Sequence, residues 1–116
     1  MRNLTFGEFE ITALSTAAPR IKQADQSTQI LAWSNGLASE VGEIMGEMKP
    51  HLYTGAAISK EDVLNEAGDC LWYLANLAAA CGSSLEEIAE LNMQKLGKRH
   101  GQSFNPAKYM GEPSND

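Results

Sequence analysis

Between Ser59 and Cys81 the chain places apolar side chains on nearly every side of a prospective helix, a pattern that restricts the fold more than any other. At about 100° per residue, Asp62, Glu66, Asp69, Tyr73 and Asn76 fall within an arc of about 80°. Val63, Leu64, Leu71, Trp72, Leu74, Ala75, Leu77, Ala78 and Ala79 occupy most of the remainder. A helix that is apolar on nearly every side is expected to be buried, so its polar stripe is not expected to be a solvated face. Buried carboxylates are costly unless they are paired or hold a metal.

A second acidic stripe, Glu40, Glu43 and Glu47, runs beside the apolar positions Ile30, Leu37, Val41, Ile44 and Met48. Carboxylates three residues apart share a helical face, so Glu40 with Glu43, and Glu66 with Asp69, each form a two-oxygen claw. Two claws face to face would cage a hard divalent cation such as Mg²⁺. Trp33, two turns before Glu40, lies on the same side as it. Ser39, Gly42 and Gly46 are small, and a helix-interior glycine costs about 1 kcal/mol relative to alanine. Another backbone, from a helix or a second subunit, is expected to approach there.

At 116 residues the chain fits one domain. With 43% hydrophobic and 21% charged residues it has the composition of a globular protein, not a disordered one. Its net charge of −6 argues against a nucleic-acid partner, which would call for a basic surface. The N-terminus shows no apolar signal-peptide core. The longest apolar stretch, Cys70–Cys81, is about twelve residues, short of the roughly twenty a membrane span needs. No membrane association is expected. Cys70 and Cys81 would stand roughly 16 Å apart along one helix, too far for a disulfide. They read as reduced core residues of a cytoplasmic protein.

Strand signals are nearly absent, and four helices are expected. The first runs from an N-cap at Thr5 to about Ala18, where Pro19 ends it. Residues 20–27 read as a loop, followed by a helix over 28–49 and a second loop over 50–58. Ser59 caps the third helix, with Asp62 three positions on, and Gly82 closes it. Ser83 or Ser84 caps the fourth, which ends near His100. Residues 102–116 read as an extended or disordered tail. Along the fourth helix an apolar face of Leu85, Ile88 and Leu96 becomes polar and cationic at Asn92, Lys95 and Arg99, which suits an anion such as phosphate. The Glu-x-x-His pattern of di-iron bundles is missing, which argues against a redox centre.

With these residues in place, the chain resembles the MazG-like nucleoside triphosphate pyrophosphohydrolases of the all-α NTP pyrophosphatase superfamily. Their E-x-x-E and E-x-x-D signature stands here as Glu40-Val-Gly-Glu43 and Glu66-Ala-Gly-Asp69, within "LASEVGEIMGEMK" and "EDVLNEAGDCLWYLANLA" and ahead of "SLEEIAELNMQKLGKRHG". The resemblance implies an all-α four-helix bundle over residues 1–101, completed by homo-oligomerisation into a dimer or tetramer. It implies hydrolysis of a nucleoside triphosphate between its α and β phosphates, with Glu40, Glu43, Glu66 and Asp69 holding Mg²⁺ or Mn²⁺. By the same resemblance Asn92, Lys95 and Arg99 contact phosphates, Tyr73 and Asn76 face the nucleotide, and Trp33 is a looser analogue of a base-stacking aromatic. Trp72 points away from the acidic stripe and is assigned to the core or a subunit interface. The implied role is sanitation or adjustment of the dNTP pool. Alternative readings are a related dUTPase or phosphoribosyl-ATP pyrophosphohydrolase, or a non-catalytic module that binds metal and nucleotide.

Overall fold

The computed structural model describes residues 2–109, and among them there is no strand. In chain order the elements are α1 (Phe6–Ser15), α2 (Pro19–Lys22), α3 (Gln26–Thr54), α4 (Lys60–Ala80), α5 (Leu85–His100) and a 3-10 helix, Pro106–Tyr109. The all-α class read from the sequence holds. Oxygen-bearing side chains start three of the helices. Thr5 Oγ1 accepts the Glu8 N–H at 3.1 Å, Asp25 Oδ1 the Thr28 N–H at 2.7 Å, and Ser59 Oγ the Asp62 N–H at 3.2 Å. The Thr28 hydrogen bonds also hold the Asp25 carboxyl below its usual value.

Several boundaries differ from expectation, each for a local reason. α1 stops at Ser15 because Ala18 precedes a proline and is driven to φ −59°, ψ 125°. Pro19 does not close a helix into a loop. It opens α2 from the first helical position, where its missing N–H goes unneeded. α3 begins before Thr28 because Asp25 is its cap, and it runs through Pro50 to Thr54. The ring removes the bond to the Gly46 carbonyl and crowds it, but that turn is exposed, so water can serve the carbonyl. Thr54 Oγ1 donates to the Pro50 carbonyl, and Gly55, at φ 73°, closes the helix with its N–H on the His51 carbonyl at 2.9 Å. At the end of α4, Gly82 caps as expected: its N–H reaches the Ala79 carbonyl at 3.0 Å and the Ser83 N–H that of Ala78 at 2.8 Å.

The chain forms two units, residues 1–85 and residues 86–116. In the first, α3 and α4 pack along one another, α1 lies on α4, and α2 lies on α3. Ala13, Ala75 and Leu85 form a buried cluster, with Phe9, Leu71, Trp72 and Leu74 packed against it. Asn76, only 2% exposed, donates through Nδ2 to the carbonyls of Ala13 (3.2 Å) and Trp72 (3.1 Å) and so ties α4 to α1. Gln26 Nε2 donates to the Ala80 carbonyl at 3.0 Å, tying the start of α3 to the end of α4. In the second unit the Asn105 N–H donates to His100 Nδ1 at 2.8 Å, and its Nδ2 to the Arg99 carbonyl at 3.0 Å. Residues 102–109, read from sequence as an extended arm, are thereby folded onto the end of α5. The rest of that tail, 110–116, lies outside the described residues.

Two packing expectations are corrected. α4 is not covered on every side: Leu64 is 70% exposed and Asp69 is exposed, because α1 and α3 cover only part of its surface. Cys81, expected in the core, is the exposed C-cap of α4, while Cys70 is half-buried, and both thiols are free. Within this chain, the glycine that another element approaches closely is Gly36. A Cβ at Gly42 or Gly46 would meet nothing within 4 Å in this chain. At Gly36 it would overlap the Tyr73 ring.

Replacing Gly36 with alanine must therefore displace Tyr73. The expected loss is about 1–3 kcal/mol of stability, as for other overpacked sites. It should register as a lower urea midpoint at unchanged m-value, whereas Gly42→Ala should stabilise or be neutral.

Candidate metal centre

Glu40 and Glu43 project from α3 and Glu66 from α4, and one carboxylate oxygen of each lies within 4.8 Å of the other two. The E-x-x-E spacing places two of the acids one turn apart. The pairing of α3 with α4 supplies the third. Glu40 and Glu66 are half-buried, and Glu43 is exposed. Glu40 Oε2 and Glu66 Oε2 are buried with no hydrogen-bond donor, the condition of oxygens that fit a cation. Asp69 stands outside this group of three. It is exposed, and with Glu40, Trp72 and Tyr73 it lines an adjoining cleft of about 290 Å³.

The proton affinities report the same crowding. Glu66 beside Glu43 pushes the Glu43 carboxyl above its usual value, first by charge repulsion and then through a shared hydrogen bond and desolvation. The Glu66 carboxyl is also raised, first because its protonated form can hydrogen-bond Glu40, then by desolvation and by the Glu40 charge. Desolvation raises Glu47, with the charges of Asp62 and Glu66 adding to it. Burial, then the charges of Glu40, Asp69 and Glu66, push the Cys70 thiol up. It stays a neutral thiol, so the donors offered here are hard oxygens suited to Mg²⁺ or Mn²⁺.

The remaining residues named from sequence are placed as follows. Tyr73 is half-buried, lies across Gly36 and lines the cleft. Trp33 is 4% exposed and packs edge-on to Trp72 at 5.6 Å and tilted to Tyr73 at 6.3 Å, so it stands behind those rings. Asn76 commits its amide N–H groups to the two carbonyls described above. Asn92, Lys95 and Arg99 are on α5 in the second unit, where Asn92 and Lys95 line a shallow pocket with Ile88 and Leu91. Trp72, assigned from sequence to the core or an interface, packs against the core cluster and also lines the cleft. On a helical wheel it lies beside Asn76, at the margin of the polar arc, and its indole reaches the cleft shared with Glu40 and Asp69.

Fold and cluster together define an all-α protein that gathers hard oxygen donors from two paired helices beside an aromatic cleft. Residues 28–104 match the MazG nucleotide pyrophosphohydrolase domain, and the chain belongs to that family. Its reaction class is accordingly that of a nucleotide pyrophosphohydrolase, in a family that is generally dependent on divalent metal. The chain is also similar to the Gene 37 protein of Mycobacterium phage L5, 29% identical over 96 residues that cover 78% of this chain and 84% of that protein. No solved structure matches it. No helix among the described residues is long and apolar enough to cross a membrane.

A raised carboxyl pKa means that the folded state holds its proton more tightly than the unfolded chain. The stabilisation is complete below the unfolded value, near 4.5, and is lost as pH rises through the raised values of Glu43, Glu47 and Glu66. In chelator, the melting temperature of Glu66→Gln relative to wild type should therefore increase from pH 4.5 to pH 7. Added Mg²⁺ should raise the wild-type melting temperature at pH 7 more than at pH 4.5 and leave Glu66→Gln nearly unmoved. A Mg²⁺ shift that is equal in both proteins would rule out this cluster as the metal centre.

Proposed function

We propose that the protein hydrolyses (deoxy)nucleoside triphosphates between the α and β phosphates, releasing a nucleoside monophosphate and pyrophosphate, in sanitation or adjustment of the dNTP pool. The observation that carries this reading is the group of Glu40, Glu43 and Glu66 within 4.8 Å, with two buried oxygens that lack donors, on a helix pair of the pyrophosphohydrolase family. Glu40, Glu43, Glu66 and Asp69 would hold Mg²⁺ or Mn²⁺. Such an ion, when bound, neutralises phosphate charge and lowers the pKa of the attacking water.

The chain's own groups have separable parts in this scheme. Glu43, the exposed member of the cluster, is open to water and is the acid placed to accept a proton from it. Glu40 and Asp69 border both the acidic cluster and the aromatic cleft, so they orient the polyphosphate end of a nucleotide whose other end meets Tyr73. Trp33 and Asn76 support that wall from behind. Asn92, Lys95 and Arg99 are the proposed phosphate contacts on α5, with side-chain types that suit an anion. Exposed Val41, Met45 and Leu64 leave apolar surface that a homodimer or homotetramer would cover.

A pyrophosphate-release screen over the standard and common damaged NTPs and dNTPs, with Mg²⁺ and with Mn²⁺, tests the reading. At least one dNTP should yield pyrophosphate and the monophosphate, and excess chelator should stop the reaction. Glu43→Gln and Asp69→Asn should abolish release at unchanged far-UV circular dichroism. Full activity in either variant would overturn the roles given to these acids.

A further inference from the structure

α1 and α2 lie outside the stretch that matches the family, residues 28–104, yet α1 reaches the cleft through its C-cap residue. The Thr16 hydroxyl accepts the Trp72 Nε1–H at 2.8 Å while it donates to the Thr12 carbonyl at 2.8 Å. A hydroxyl with donor and acceptor both engaged has its direction fixed, and it fixes the indole in turn. Trp33 and Tyr73 hold the same indole edge-on, with centroids at 5.6 and 4.9 Å. Trp72 is nonetheless only half-buried, and with Tyr73 it lines the cleft that Glu40 and Asp69 also line.

The cleft is thus lined by two carboxylates and two aromatic rings. Trp72 and Tyr73 stand at 83°, so a flat heterocycle laid parallel to Trp72 would meet Tyr73 edge to face. Trp33, at 4% exposure, has no comparable free area. We infer that Trp72 is the nucleobase-stacking residue of this cleft and that Thr16 is the residue that positions it. The inference rests on the nucleotide reading above and deepens it. Every base has a π-face, so Trp72 contributes affinity without choosing among bases.

The decisive experiment is a double-mutant cycle read in steady-state kinetics with each standard dNTP and Mg²⁺. Thr16→Val keeps the side-chain shape and removes the acceptor, and should raise KM roughly threefold to tenfold while kcat stays within about twofold. Thr16→Ser should restore the wild-type KM. Trp72→Phe keeps a ring without the N–H and should raise KM, and in that background Thr16→Val should add nothing further. Trp72→Leu removes the stacking face and should raise KM roughly tenfold or more.

Two measurements separate positioning from general loosening. Gln26→Ala removes a different helix-tying hydrogen bond, to the Ala80 carbonyl, and should lower the melting temperature without changing KM. The chain has two tryptophans, so Trp33→Phe leaves Trp72 as the sole indole. Its fluorescence should change saturably with the α,β-imido analogues of dATP and dCTP in Mg²⁺. Additive effects of Thr16→Val and Trp72→Phe, an equal KM rise in Gln26→Ala, or an unresponsive Trp72 would each overturn the inference while wild-type turnover still stood. If wild type neither bound nor hydrolysed any nucleotide, the pyrophosphohydrolase reading would fall, and this inference with it.

Discussion

Three carboxylates within 4.8 Å repel one another, and the pairing of α3 with α4 keeps them there. The repulsion is visible in the raised proton affinities of Glu43 and Glu66, and in buried oxygens on Glu40 and Glu66 that no donor reaches. Where the two helices approach, Gly36 admits the Tyr73 ring into the space a side chain would fill. Gly36 is one turn before Glu40, and Tyr73 one turn after Asp69. The tightest contact between the helices therefore sits one turn from two of the acids.

The short N-terminal helix contributes more to this arrangement than its ten residues suggest. Its Ala13 carbonyl accepts a hydrogen bond from Asn76 Nδ2, its Thr16 hydroxyl accepts the Trp72 indole N–H, and Glu10 Oε1 accepts the Leu85 N–H at 2.7 Å. Each bond ends on α4 or on the residue that opens α5. The stretch of α4 that carries Trp72 and Asn76 is thus held by a segment that precedes the family-defining stretch.

Where the sequence could be read, local rules were strong. Thr5, Ser59 and Gly82 act as the caps their residue types announce, since a cap needs only a nearby oxygen or a left-handed backbone. Pro50 misled because proline in a helix costs a hydrogen bond and crowds the preceding turn but does not forbid the helix, and an exposed carbonyl can recover its hydrogen bond from water. Gly42 and Gly46 are not approached from within this chain, since a small residue permits close approach without requiring it. Gly36, the glycine that is closely approached, has no local signature, because its partner is thirty-seven positions away. Trp72, read as core or interface, does pack against the core, and that it also lines the cleft was hidden for a related reason: a wheel gives the direction of Cβ, while the indole extends well beyond it toward a hydrogen bond on α1.

By itself, the sequence determined the all-α class and the one-turn spacing of the acids within each motif. Both follow from residue type and helical period over a few positions. Only the tertiary structure decided that Glu40, Glu43 and Glu66 form the tight group with Asp69 beside the cleft, that Trp33 is buried behind Tyr73, and that Trp72 faces the acids. Those outcomes depend on how two helices are set against one another. That setting comes from contacts distant in sequence, Gly36 with Tyr73 and α1 with α4, which no local pattern encodes.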